Sequence, residues 1–279
     1  MTVPPSSESF FDVPRQNAST SVGDVELPIL YFDGFSGTAL FDVDPAVARE
    51  VLATFLMETP AEADLTFLPV QREGTATAAI TFYDYRDTSI GPYREVALAL
   101  LVVPRRIATG DELGRGDAMT GSDAKPGFCI LDLPVTTPLA EAAGRELWGY
   151  PKFLAGVDVD VADGCDFRGQ LRDERGDVIL ELAGRAGEST GETKEGRDVV
   201  TYSSQAQGQE SDMQLLSTTI TTACDYTALL PGTLALQVGE SKHPMATRLR
   251  ELGLGGRTPL RWQTTSTFRA RLPLGQVVD

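Results

Sequence analysis

Three features of this 279-residue chain predict a mainly β, α+β fold: an antiparallel barrel or sandwich carrying a few helices. Many short stretches alternate apolar and polar residues with period two. Clusters of Gly, Asp and Pro punctuate them. Only three segments carry a helical period, too few and too scattered for regular βαβ units.

In chain order, residues 1–20 are rich in Ser, Pro and charge without periodicity and read as a loosely held arm. Asp44 as N-cap, Pro45 at the first helical position and apolar Val47, Val51, Phe55 and Leu56 predict a helix ending before Pro60. Strands are expected at 77–85 and 95–103. Thr137 and Pro138 open a second helix, which Gly149 and Pro151 close. Val157, Val159 and Val161 alternate with Asp158 and Asp160, the pattern of a half-buried strand. Asp173 to Asp177, centred on Gly176, predicts a hairpin between 170–172 and 178–182. Residues 184–212 carry no apolar pattern and read as a mobile surface loop. Further strands are expected at 214–222, 233–238 and 261–272, and a third helix from Pro244 to a stop at Gly253. No repeat or charge step marks a boundary, so one domain over 1–279 is expected.

Composition narrows the function classes. A net charge of −16 opposes binding to nucleic acid or to an anionic membrane, which needs a basic face. No run approaches the roughly 18 apolar residues of a membrane span. The N-terminus lacks the pattern of a secretory leader, so a cytoplasmic address is expected. Cys129, Cys165 and Cys224 are too few and too widely spaced for a disulfide framework. With one histidine and no C-x-x-C, a metal centre is not expected.

Several motif strings fail on context. Gly187-Glu-Ser189-Thr-Gly191 matches a nucleophile elbow, but no amphipathic helix follows it. In Ser122-Asp-Ala-Lys125 the helix that the string requires is broken by Pro126 and Gly127. His243, just before Pro244, reads as a capping or loop residue.

Lys152 stands out because only four of the 24 basic residues are lysines and this one lies among Trp148, Tyr150, Phe153 and Leu154. A free lysine, with a pKa of about 10.4, is almost wholly protonated near neutral pH and cannot attack a carbonyl. Desolvation disfavours the ammonium, and apolar neighbours supply it; the plain alternative is a stem lying over apolar surface with its head in water. A helix ending at Trp148 would oppose activation through its C-terminal dipole, by up to about 1 kcal/mol.

The string Gly144-Arg-Glu-Leu-Trp148-Gly-Tyr150-Pro-Lys152 resembles the lysine segment of the acetoacetate decarboxylase superfamily. Upstream, Asp87-Thr-Ser-Ile-Gly-Pro-Tyr93-Arg94-Glu95 resembles the segment that ends in the family's active-site glutamate. A weaker likeness runs from Lys242-His243-Pro244 to Leu254. The resemblance implies a cone-like β-barrel with peripheral helices, a homo-oligomer, and a Schiff-base lyase acting on a small keto acid without metal or cofactor. Lys152 and Glu95 are then the expected catalytic residues, with Arg86, Tyr93, Trp148, Tyr150 and Phe153 as expected substrate contacts. As a plain strand residue, Glu95 would instead pair with Arg94 or Arg86.

Two departures stand out. Phe153 occupies the place of the second lysine of true decarboxylases, the cation that helps activate the first in acetoacetate decarboxylase itself. Residues 27–48 hold no Arg or Lys to anchor a carboxylate, which leaves Arg86 or Arg94 to do so. Aldol or dehydratase chemistry on 2-oxo acids, and a ligand-binding barrel without turnover, are the other readings.

Overall fold

The computed structural model describes residues 7–57, 65–106, 125–162, 166–194, 196, 198–207 and 212–278. Seven strands close a barrel. In order around the wall they are Ile29–Val43, Ala270–Leu272, Asp212–Thr222, Asp198–Gln207, Gly127–Asp132, Tyr93–Arg106 and Thr75–Thr88, which pairs back onto Ile29–Val43. All of these pairings are antiparallel except the one between Gly127–Asp132 and Asp198–Gln207.

Beyond Glu95 the stave Tyr93–Arg106 is apolar on both faces, and this explains the near-continuous run Val96-Ala-Leu-Ala-Leu-Leu-Val-Val103. Val96, Leu98, Leu100 and Val102 point outward into a core shared with Ile80 and Phe82. That core is covered by a four-stranded sheet, Ala235–Val238, Val178–Arg185, Asp166–Arg172 and Gly156–Ala162, and by the helices Pro45–Met57 and Pro244–Glu251. Ala97 and Ala99 point inward, as strand alternation requires.

The three expected helices form as Pro45–Met57, Pro138–Trp148 and Pro244–Glu251. Asp44 Oδ1 accepts from the Ala46 N–H at 2.7 Å, and His243 Nδ1 caps the last helix by accepting from the Met245 N–H at 3.2 Å. The hairpin of Asp166–Arg172 with Val178–Arg185 turns where Gly176 takes φ 88°.

Three readings are corrected. Residues 184–212 are no surface loop, for Ser189–Lys194 and Asp198–Gln207 are strands and the second is a barrel stave. Its inward side chains include Thr201, so hydroxyl groups stand where an apolar repeat was sought. The expected strand at 261–272 is two strands, Arg261–Thr265 and Ala270–Leu272, both paired with Ile29–Val43. A short helix, Ser7–Phe11, and the strand Gln16–Ser19, paired with Asp24–Leu27, stand where no regular element was expected. Cys129 and Cys224 are buried free thiols, whereas Cys165 and Ser122 lie outside the described residues. Among the described residues no helix is long and apolar enough to cross a membrane, and no cluster of His, Cys, Asp or Glu is built to hold a metal ion.

Candidate active site

The barrel encloses a cavity of about 170 Å³, lined by inward residues of all seven staves together with Lys152 and Tyr150. An engineered apolar cavity of roughly 150 Å³ holds benzene, so a small organic molecule fits.

Lys152 reaches this interior from the segment that follows Pro138–Trp148. The helix ends at Gly149, whose φ of 62° is costly for any residue with a Cβ. Its N–H donates to the Arg145 carbonyl at 3.1 Å, and the Tyr150 N–H donates to the Gly144 carbonyl at 3.0 Å. The chain then runs beside 133–135. The Leu133 N–H donates to Pro151 O, the Val135 N–H to Phe153 O and the Ala155 N–H to Val135 O, at 2.9–3.1 Å. Pro134 O in turn accepts from the Val96 N–H at 3.0 Å, which brings Lys152 alongside the start of the Glu95 stave.

Glycine at 144 serves the lysine stem. A Cβ there would stand 2.3 Å from Lys152 Cδ and 2.4 Å from Cε, well inside contact distance. The stem therefore lies flat on the helix, and its amine is delivered inward. Lys152 Nζ donates to Glu95 Oε2 at 2.6 Å, with the two side chains only 6% and 8% exposed. Tyr85 Oη donates to the other carboxylate oxygen, Oε1, at 3.2 Å, and the Tyr93 ring centroid lies 5.6 Å from Nζ.

The phenols around this pair are held neutral. Burial first, then the Glu95 carboxylate, pushes Tyr31, Tyr83 and Tyr85 well above the ordinary tyrosine range. Burial likewise raises Tyr93, and it takes Tyr150 to about 12. They remain hydroxyl donors throughout the neutral range. Tyr31 Oη and Tyr93 Oη lie 3.0 Å apart, and Tyr150 Oη is 2.7 Å from Thr201 Oγ1.

Lys152, Glu95 and Tyr150 are thus brought together at the cavity. The other expected contacts are not among its lining residues. Arg86 lies away from the cavity. It grips Asp33 through Nε at 2.7 Å and Nη2 at 2.9 Å, and the same Nη2 donates to Gly34 O and Ser266 O. Arg94 is committed to Asp84 at 2.9 Å and to Val157 O. Both have the opposite parity to the inward residues 83, 85, 95 and 97, so strand alternation turns them away from the interior. Phe153, one residue past Lys152, stacks on the His243 ring at a centroid distance of 4.2 Å. Trp148 is buried behind the lysine segment with Nε1 donating to Pro273 O at 2.7 Å, and Tyr93 sits behind Tyr31 and Lys152.

Sequence reasoning missed Tyr31, Tyr83, Tyr85, Thr201 and Phe268, all of which line the cavity. Alternation within 79-81-83-85 carried the pattern for two of them. The other three come from staves that had no predicted strand or from the interruption in 261–272.

Comparison with known proteins agrees with the fold. The sequence profile of the family described as Acetoacetate decarboxylase (ADC) matches residues 18–254. No curated protein matches the chain in sequence. Among solved structures, an acetoacetate decarboxylase from Legionella pneumophila is similar at 17% identity and a TM-score of 0.60, covering 96% of this chain and 92% of that one. The enduracididine biosynthesis enzyme MppR, solved with the condensation product of pyruvate and imidazole 4-carboxaldehyde, is similar at 14% identity and 0.58, covering 90% and 89%. An acetoacetate decarboxylase-like enzyme from Sphingomonas wittichii RW1 is similar at 13% identity and 0.56, covering 90% and 93%.

Proposed function

We propose that this chain, which belongs to the acetoacetate decarboxylase family, is a lyase that forms a Schiff base between Lys152 and a small keto acid and releases carbon dioxide from it. The observation that carries the reading is the buried Lys152–Glu95 pair at 2.6 Å, opening on a cavity large enough for a small organic molecule.

The steps balance without metal or added cofactor. Glu95 takes a proton from the Lys152 ammonium, and the free amine adds to the substrate carbonyl. The resulting carbinolamine loses its hydroxyl as water with a proton returned from Glu95, leaving an iminium. In a 3-oxo acid the bond between the carbon next to the iminium and the carboxylate then breaks, its electron pair flows into the iminium to give an enamine, and carbon dioxide leaves. Carbon protonation and hydrolysis then free Lys152. Tyr85, donating to Glu95 Oε1, keeps Oε2 turned toward the lysine nitrogen.

A second reading shares the iminium. If a proton leaves in place of carbon dioxide, the enamine supports aldol or dehydratase chemistry. A carboxylate within hydrogen-bond reach of the lysine nitrogen is suitably placed to take that proton.

Incubation with a panel of 2-oxo and 3-oxo acids, followed by borohydride and peptide mass spectrometry, tests the proposal. The mass of the decarboxylated substrate fixed on Lys152, with carbon dioxide released before reduction, is the expected result. Adduct without carbon dioxide favours the second reading. Tight binding with no adduct from any member would overturn both and leave a ligand-binding barrel.

A further inference from the structure

We propose that the substrate carries an uncharged alkyl or aryl group of roughly benzene size, which lies along the inner wall beyond Lys152 and supplies most of the binding energy. The inference rests on the Schiff-base reading and extends it to substrate class.

The cavity is graded along its wall. At the reacting end, Glu95 is in register with Tyr83, which is in register with Ser36. Two residues further on, Ala97 faces Thr81, and Thr81 faces Thr38. The two threonine hydroxyls lie 3.0 Å apart and share a hydrogen bond, and Thr81 is also bonded to Tyr83. Two residues beyond that, Ala99 faces Ala79, flanked by Leu40 on one side and Ile130 on the other. At about 3.4 Å per residue, this apolar rung lies about 14 Å along the stave from Glu95. Three alanines in adjacent register on an inward face leave room that larger side chains would fill, and aliphatic neighbours close it.

Charge points the same way. Among the described lining residues Lys152 is the single cation, and it is consumed as the nucleophile. Arg86 and Arg94 are held outside by Asp33 and Asp84. A carboxylate far from the iminium would find no cation to replace its water and would face Glu95 as well. Apolar area remains as the source of affinity.

The test is a chain-length series of 3-oxo acids from acetoacetate through 3-oxohexanoate to 3-oxooctanoate, trapped with borohydride and quantified at Lys152. The half-saturating concentration should fall about fourfold per added methylene, the equivalent of about 0.8 kcal/mol of burial, until the cavity is full. In Ala99→Leu the preference for 3-oxooctanoate over acetoacetate should collapse by at least about tenfold. Acetoacetate labelling as well as or better than its longer homologues would overturn this inference while leaving the Schiff-base reading intact. A preference unchanged in Ala99→Leu would overturn the placement along the alanines. Absence of adduct across the whole series would remove the Schiff-base reading and this inference with it. The wild-type series stands even if the variant folds poorly.

Discussion

At Lys152 and Glu95, two opposite charges share a dry site, and each is tolerable because of the other. Removing one partner strands a buried charge, at a cost of about 3–5 kcal/mol, whereas replacing both with apolar residues of similar volume is close to neutral. Lys152→Met and Glu95→Leu should therefore each lower thermal stability, and the double variant should recover most of it, as a double-mutant cycle by calorimetry will read. All three should fail to form an adduct or to turn over. Recovery absent from the double variant would mean that the pair is not the partnership described. Gly144→Ala separates delivery from folding. Alanine favours a helix by about 1 kcal/mol over glycine, yet its methyl would occupy the bed of the lysine stem. Trapping at Lys152 should fall by at least about tenfold with circular dichroism little changed. The lysine string was legible because its residues act locally: a helix stop, a proline and an inward amine follow one another in sequence. The partner carboxylate is 57 residues away, and only the resemblance pointed to it.

Among the elements, the helix Pro244–Glu251 offers a pH test. Burial first, with the Arg248 charge adding to it and Asp173 and Glu174 opposing, holds His243 below the ordinary histidine range. Its neutral Nδ1 accepts the Met245 N–H. A lowered folded value means that the folded chain prefers the neutral ring. The cap then contributes fully above about pH 6.5, the unfolded value, and its contribution is lost as pH falls through the folded value. Melting temperature should drop across that window in the wild type and less so in His243→Asn, which caps without titrating there. Equal pH dependence in the two would exclude the cap as its cause. Helices were legible because caps and prolines announce them. Asp198–Gln207 was not, because its inward face is built partly from hydroxyls and apolar periodicity was the feature sought. Arg86 and Arg94 were assigned by charge, although counting parity from Glu95 would already have turned them outward.

For the whole molecule, closure depends on Ile29–Val43, which pairs with strands from both ends of the chain. This strand escaped prediction because Gly34 and Gly37 interrupt its apolar pattern. The buried Leu98 lies on the outer face of the stave Tyr93–Arg106, and Leu98→Ala should cost about 2–5 kcal/mol in denaturant unfolding. The homo-oligomer expected from the resemblance predicts a solution mass by light scattering that is a multiple of the 30.0 kDa chain. A mass of one chain at all concentrations would contradict it. Because the barrel wall is packed on both sides, the stave that carries Glu95 is written in two interleaved alphabets. Positions 95, 97 and 99 spell what enters, and positions 96, 98 and 100 spell whether the barrel stands. At 97 and 99 the lining can thus change while the core built by 96, 98 and 100 stays as it is, whereas position 95 is bound to Lys152 and belongs to both.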